Sequence, residues 1–427
     1  MRIQWAAGTA AVVLMSGGAV GGADEAAPAP ARVDNPYAGA RVYVDEDWSA
    51  RAAAEPGGAA VAREPTAVWL DRIAALDGLR GHLDAALAQD ADVIQLVVHN
   101  APGRDCHRHQ PRGELVAGEL DRYRTEFIDP LAGVLADPAY ADLRVVTVLE
   151  PGALACERAQ APGVHAGAVG TALARLGPLP NVYPYLDLGD HALLGRDASL
   201  APAAALLHAA ASTAGADPAD VHGFVSNVGG YAPLDEPHFD ADDTVGGVPV
   251  REGSSWLDGN HYADELSYVR AFQRALTDAG FDPAAGALLD TSRNGWGGPG
   301  RPAGPGPRTA PEEYVEAGRT DRRHHPANWC NQAGSGLGER PVAAPVPGVD
   351  AYIWARPPGL SDGNSIPIPI EGGDLDRMCD PAYAGDPVNG GHPTGVLSGA
   401  PLRGQWFPAH FGELLRNAWP PLPPAGG

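Results

Sequence analysis

The strongest constraint in this sequence is an alternation. Short apolar runs rich in β-branched residues recur along the chain, with helix-spaced stretches between them. The runs are ARVYVDED (40–47), DVIQLVVH (92–99), LRVVTVLE (143–150), NVYPYLD (181–187), HGFVSNV (222–228), GALLDTS (286–292) and DAYIWARP (350–357). The helical stretches cover 65–89, 119–137, 168–177, 202–215, 263–280 and 404–418. Strands covered on both faces read as nearly continuous apolar runs, and parallel strands need a crossover, usually a helix, to return the chain. The pattern therefore predicts an α/β fold, a parallel sheet closed into a barrel, with seven candidate strands, one short of the usual eight.

In such a barrel, chemistry is placed at the carboxyl ends of the strands. Those ends are polar here: His99-Asn100, Glu150, Asp187, Asn227, Asp290-Thr291-Ser292 and Arg356. The run VVTVLE closes on an acid and is then broken by Pro151-Gly152, so the turn itself carries no functional group. Two long Gly/Pro-rich loops, 229–262 and 295–312, are placed to roof the same face. The Asp/Glu/His cluster at 235–243 in the first of them reads as a solvated acidic loop, not as a metal site.

Charge narrows the partners. The net charge is −23 and all 30 basic residues are arginine, with no basic stripe to neutralise phosphates, so nucleic acid is excluded as a partner. Uncharged substrates such as sugars are compatible with this balance. Enzymes of neutral sugars use aromatic faces for stacking and paired carboxylates for proton transfer. The carboxylate candidates are Asp105, Asp187 and Asp362, each in a loop or at a strand end. Trp69, Trp296, Trp329, Trp354 and Trp406 are the aromatic ones. Of these, Trp296 and Trp329 lie in Gly/Asn-rich loops, where exposure for stacking is expected, whereas Trp69 and Trp406 lie in helical patterns that favour packing. No GxSxG elbow, HExxH or phosphate loop is present.

The N-terminus reads as a signal peptide over 1–23, with Arg2, an apolar run Ala6–Met15 and small residues before a cut near Ala23. The apolar run is too short for a membrane span. Secretion, with no membrane association after cleavage, is the expectation, followed by a flexible lead-in over 24–34. Four cysteines, Cys106, Cys156, Cys330 and Cys379, predict two disulfides in a secreted chain, and their spacing leaves all three pairings open. The absence of a CxxC pair argues against zinc. No metal or cofactor is expected.

At this level the sequence resembles glycoside hydrolase family 6, and within it the bacterial exo-acting cellulases. The similarity runs over about 35–420 and rests on NPYAGARVYV, PTAVWLDRIAAL, PGRDC, PNVYPYLD, DTSRNGWGGPGRP, DRRHHPANWCNQAGSGLGERP, GVDAYIWARPPGLSDG, DRMCDP and GQWFPAHFGELLRNAWPP. The resemblance implies one catalytic domain over 35–427 with a distorted seven-stranded barrel. It implies inverting cleavage of β-1,4-glucan with release of cellobiose from non-reducing ends, by a monomer whose partner is a β-glucan or cello-oligosaccharide. It implies the pairs Cys106–Cys156 and Cys330–Cys379. Trp69 and Trp329 match tryptophans that hold sugar, and Arg356 stands where the family has a sugar-binding lysine. Asp105 matches the acid that tunes the proton donor and orders water, Asp187 a substrate-binding acid, and Asp362 a base candidate.

The departures fall in the cleft. The family's general acid lies in a pattern E-P-D or E-x-D, which here is Glu150-Pro151-Gly152. His99 replaces a tyrosine, Pro111 a loop serine, Leu193 and Arg196 two stacking tryptophans, and Leu360 a glutamate. The expectation is therefore a hydrolase with an impaired or altered site. The alternatives are a glycan-binding pseudoenzyme and a hydrolase of a different glycan, for which Arg112 and Arg196 would suit an acidic sugar. Asp105, if its pKa were raised, is the best replacement donor, ahead of Glu150, His99, Asp190 and His191.

Overall fold

The computed structural model describes residues 32–106, 108–109, 113–159, 163–369 and 375–423. The signal-peptide segment 1–23, Pro111 and Arg112 lie outside the described residues. Among the described residues ten strands follow in chain order: β1 (Val68–Leu70), β2 (Val93–Val98), β3 (Arg144–Leu149), β4 (Val182–Asp187), β5 (Gly223–Ser226), β6 (Thr244–Val245), β7 (Val248–Pro249), β8 (Gly286–Asp290), β9 (Val342–Ala343) and β10 (Val349–Ile353). The main sheet has the order β1-β2-β3-β4-β5-β8-β10-β9. Its first seven strands are parallel, and two-residue β9 adds an antiparallel edge to β10. The sheet curls until its ends approach: Ala67 N–H donates to the Trp354 carbonyl at 3.1 Å, just beyond β10.

Seven parallel strands match the expected number, but one member differs. The run 40–47 contributes only a single bridge, Val42 to Val93. Asp45 then caps the helix Glu46–Ala54, accepting from Asp47 N–H and Trp48 N–H at 2.9 and 3.0 Å. The seventh strand is β1, hidden in the stretch 65–89 read as one helix. That stretch divides into β1, a 3₁₀ turn over Ile73–Gly78 and a helix over Leu79–Ala88. Three residues are too few for a period-2 signal beside a longer run with helical spacing.

Alternation along the strands separates two apolar layers. Ile94, Leu96 and Val98 of β2, Val145 and Leu149 of β3, and Val182 and Leu186 of β4 face the surrounding helices. Val93 and Val97, Val146 and Val148, Tyr183 and Tyr185 point inward with Val225, Leu288, Ala351 and Ile353, so the barrel is filled. The helix Glu265–Ala279 shows why the outer layer forms. Asp264 accepts from Ser267 N–H at 2.8 Å as its cap, and Tyr268, Val269, Phe272 and Leu276 form one buried stripe. It stops at Gly280, whose φ of +110° suits glycine.

Both long loops follow strand ends, after β5 and after β8, and each is ordered by the other. Arg308 donates to the Thr244 carbonyl at 2.9 Å, and Tyr314 Oη to Asp243 at 2.9 Å. Phe239, Val245, Val250, Leu257, Tyr314 and Val315 form a small core beneath them. Residues 32–34, the described part of the expected lead-in, do not hang free: Arg32 donates to the Leu179 and Asp220 carbonyls at 3.1 and 3.3 Å, and Val33 N–H to Tyr183 Oη at 3.2 Å. Residues 32–34 are thus fixed to the barrel. Among the described residues no helix is long and apolar enough to cross a membrane, and no three His, Cys, Asp or Glu side chains form a metal-holding group.

Candidate active site

The turn after β3 is the centre of the strand-end face. Glu150 has φ +46° and Gly152 φ +84°, both in the left-handed region. Glu150 is buried, and its carboxylate accepts from Asn100 N–H (3.1 Å), Ala101 N–H (2.8 Å) and Tyr123 Oη (2.7 Å). Burial pushes its pKa up to about 7 against those hydrogen bonds. Glu150 is a fastener: it ties β3 to the loop after β2 and to the helical turn carrying Tyr123. Its oxygens are committed to that task.

The carboxylate that touches Gly152 is that of Asp187, at the end of β4, whose Oδ2 accepts Gly152 N–H at 2.8 Å. Burial pushes Asp187 up to about 6, against the backbone N–H groups of Gly152 and Gly189 that favour its ionised form. A carboxyl of this kind is partly protonated in mildly acidic solution.

Asp105 behaves in the opposite way. It has φ +60° and stands among Arg104 (3.0 Å), Arg108 (3.0 Å), Arg403 (2.6 Å) and His99 (3.9 Å). Burial alone would raise its pKa, but Arg108, Arg403, His99 and Arg104 together hold it well below the usual carboxylate range. The raised pKa that a replacement donor needs is absent at Asp105, because three guanidinium groups surround one carboxylate. His99 is kept neutral by burial and by Arg104. Asp362 is likewise ionised. Arg293 Nη1 lies 2.8 Å from both of its oxygens, and Tyr231 Oη and Asn331 N–H donate to Oδ2 at 2.9 Å each. Arg356 lies 3.9 Å away. These groups outweigh burial and hold its pKa well below the usual range.

The aromatic residues divide. Trp69 is half-buried on β1, with its indole N–H on the Ala355 carbonyl at 2.7 Å and its ring edge-on to His99. The Arg356 guanidinium lies 5.0 Å above the Trp69 ring. Trp329 is also half-buried, and Arg108 covers its ring at 3.9 Å. Trp296 corrects the expectation of an exposed stacking residue. It is fully buried and donates to the Tyr231 carbonyl at 2.7 Å, so it fixes the loop after β8 from inside. Trp354 is buried, and Trp406 packs on Phe411 while donating to Glu55.

The weaker donor candidates have structural duties. Asp190 caps the turn at His191 by accepting from Leu193 N–H at 2.9 Å, and His191 pairs with buried Glu265 at 2.8 Å. Leu193 is exposed. Arg196 is exposed and paired with Asp258, as a solvated surface arginine would be. Sequence reading missed Arg108, Arg293, Arg403 and Tyr231. Arg403 meets Asp105 across 298 residues, a separation that leaves no local signal. Arg293 and Arg104 lie inside quoted motifs, DTSRNGWGG and PGRDC, without having been singled out.

Both disulfides form, as Cys106–Cys156 and Cys330–Cys379, with Cα separations of 5.6 and 5.3 Å. The first joins the residue after Asp105 to the helix that starts just after Gly152. A crosslink closing about 50 residues removes denatured-chain entropy worth about 4 kcal/mol. Replacing Cys106 and Cys156 together by serine is expected to lower stability by about that much in chemical denaturation. A loss under about 1 kcal/mol would show that the turn and the Asp105 loop hold each other without it.

Comparison with known proteins agrees with this architecture. The family model described as glycosyl hydrolases family 6 matches residues 32–418. Exoglucanase A of Cellulomonas fimi is 42% identical over 93% of this chain, which spans 50% of that relative's length. The 1,4-beta-D-glucan cellobiohydrolase CEL6C of Podospora anserina is 34% identical over 83% of this chain and 77% of its own. Among solved structures, the catalytic domain of Cellulomonas fimi Cel6B superposes with a TM-score of 0.87 at 40% identity, covering 92% of this chain and 97% of that one. Cellobiohydrolase II (Cel6A) from Humicola insolens, in complex with glucose and cellotetraose, gives 0.69 at 27% identity, covering 91% and 99%. With the family model over nearly all of the described chain, the matching fold, Asp105 and Asp362 in the loops after β2 and β10 and both crosslinks in place, the chain belongs to glycosyl hydrolase family 6.

Proposed function

We propose that this protein acts outside the cell on a β-1,4-linked glucan, as an inverting exo-acting hydrolase whose protonation step is weakened and moved. The observation that carries the reading is the contact between Asp187 and Gly152. The turn expected to present a proton donor has none, and a neighbouring carboxyl with a pKa near 6 reaches that turn. Asp187 is then the donor to the leaving oxygen, and it works from a neighbouring strand instead of from the turn itself. Asp105 and Asp362 stay ionised, but their arginine partners offset the charge they could lend an oxocarbenium-like transition state, which weakens catalysis further. Carboxylates this acidic are weak bases, so activation of the attacking water is also slow.

A second reading, a glycan-binding protein that does not cut, is favoured by one observation: Arg108 already occupies the Trp329 face on which a neutral sugar would stack. One experiment separates the two. Purified protein is incubated with cellotetraose to cellohexaose and products are followed by NMR. Slow release of cellobiose as the α-anomer is the expected result. Release of the β-anomer would overturn inversion. Binding with no product after long incubation would leave the non-cutting reading in possession.

A further inference from the structure

The arginines of the cleft exceed what its carboxylates need. Arg104, Arg108 and Arg403 surround Asp105, and Arg293 and Arg356 flank Asp362, which sets five guanidinium groups against two carboxylates. The other acids nearby have partners of their own. The Asp71 carboxylate pairs with Arg72 at 2.9 Å, and Asp376 lies 3.8 Å from His109. Glu150 is engaged by Tyr123 and the backbone. The Nε atoms of Arg293 and Arg356 are buried without a hydrogen-bond partner, and Arg108 Nε lies 3.0 Å from Asp105 but is too poorly aligned to bond it. Arg108 and Arg356 are pushed down to about 10, chiefly by burial and further by the neighbouring arginines. This positive excess sits inside a chain whose net charge is −23.

Arg108 and Arg403 line a groove with Trp329, Asp362, Asp376 and Asn364. A neutral glucose unit can stack on Trp329 only after Arg108 leaves the ring, and it brings no charge to pair with the displaced guanidinium. The arrangement favours a sugar that brings an anion, since the guanidinium can then leave the ring for a charge-assisted, two-pronged contact. The strongly acidic chain repels dense polyanions, so the fitting ligand is a glycan with isolated charges. Resting on the reading of this cleft as a glycan site, we infer that the groove over Trp329 binds an anionic β-linked saccharide. The anion is a carboxylate or sulfate on the sugar seated there, held by Arg108 and Arg403.

The test is calorimetric titration of the whole protein with three hexasaccharides: cellohexaose, its C6-oxidised uronate and its 6-O-sulfate. Both anionic probes, or one of them, are expected to bind at least about tenfold tighter than cellohexaose at about 0.15 M salt, with the advantage shrinking at about 1 M. Preference for the uronate alone assigns a carboxylate, and for the sulfate alone a sulfate ester. Arg108→Gln and Arg403→Gln are each expected to remove most of the advantage, read within each variant as the ratio of anionic-probe affinity to cellohexaose affinity. Thermal melts establish that both variants are folded, and if one of them melts early the other carries the test. Equal affinity for all three probes would overturn the inference and leave the glycan reading standing. Binding of none would overturn both. An anionic preference that survives in the folded arginine variants would overturn the assignment to this groove.

Discussion

Gly152→Asp is expected to raise kcat on cello-oligosaccharides by about 10²-fold, with little change in KM. General acid catalysis contributes about 10²–10⁴-fold, so restoring a carboxyl to the turn should recover a large part of that range. Two local features place the expectation at its lower end. Residue 152 has φ +84°, where a side chain costs about 1 kcal/mol, though Asp tolerates this region better than most residues. Asp105 and Asp362 also remain overpaired with arginine, so water activation is not improved. The neighbourhood of Asp187 helps in another respect. Two carboxyls side by side cannot both ionise easily, so one of the pair stays protonated to higher pH, as a donor must. An intact, folded Gly152→Asp variant that binds cellohexaose and gains no rate would sink the idea that the missing acid limits this protein.

The sequence was most legible where strands are long and buried on both faces. β2, β3 and β4 stood out as apolar runs because both the inner and outer layers of the barrel demand apolar residues. β1 was not legible, since three residues at the head of a helical pattern carry no period of their own. The crosslinks were countable but could not be paired by spacing, and only the resemblance distinguished Cys106–Cys156 from its alternatives. Candidate site residues were legible as positions and illegible as states. Asp105 and Asp187 read alike in the sequence, each an acid in a loop or at a strand end. One meets three arginines, one of them 298 residues away, and the other meets backbone N–H groups under burial. Their proton affinities diverge for that reason alone. Trp296 shows the same limit: a tryptophan among glycines reads as exposed, but the glycines let the backbone fold over it.

Asp187→Asn is the sharper test of where the proton now comes from. The asparagine amide keeps an oxygen to accept Gly152 N–H, so the local fold should persist, but it has no carboxyl proton to give. Residual kcat is expected to fall about 10²-fold, the lower figure for loss of a general acid. The pH dependence makes the role specific. With Asp187 as donor the rate requires its protonated form, so kcat is level below about pH 6 and falls about tenfold per unit above it. That alkaline limb should vanish in Asp187→Asn, and in Gly152→Asp it should move to the pKa of the new carboxyl. The two substitutions should then fail to add: once residue 152 donates, losing the carboxyl at 187 matters far less than it does alone. A merely sugar-binding Asp187 predicts something different, a raised KM with kcat and the alkaline limb unchanged. Observing that split would return Asp187 to the role its position in the family implies and leave the turn at Gly152 without any donor.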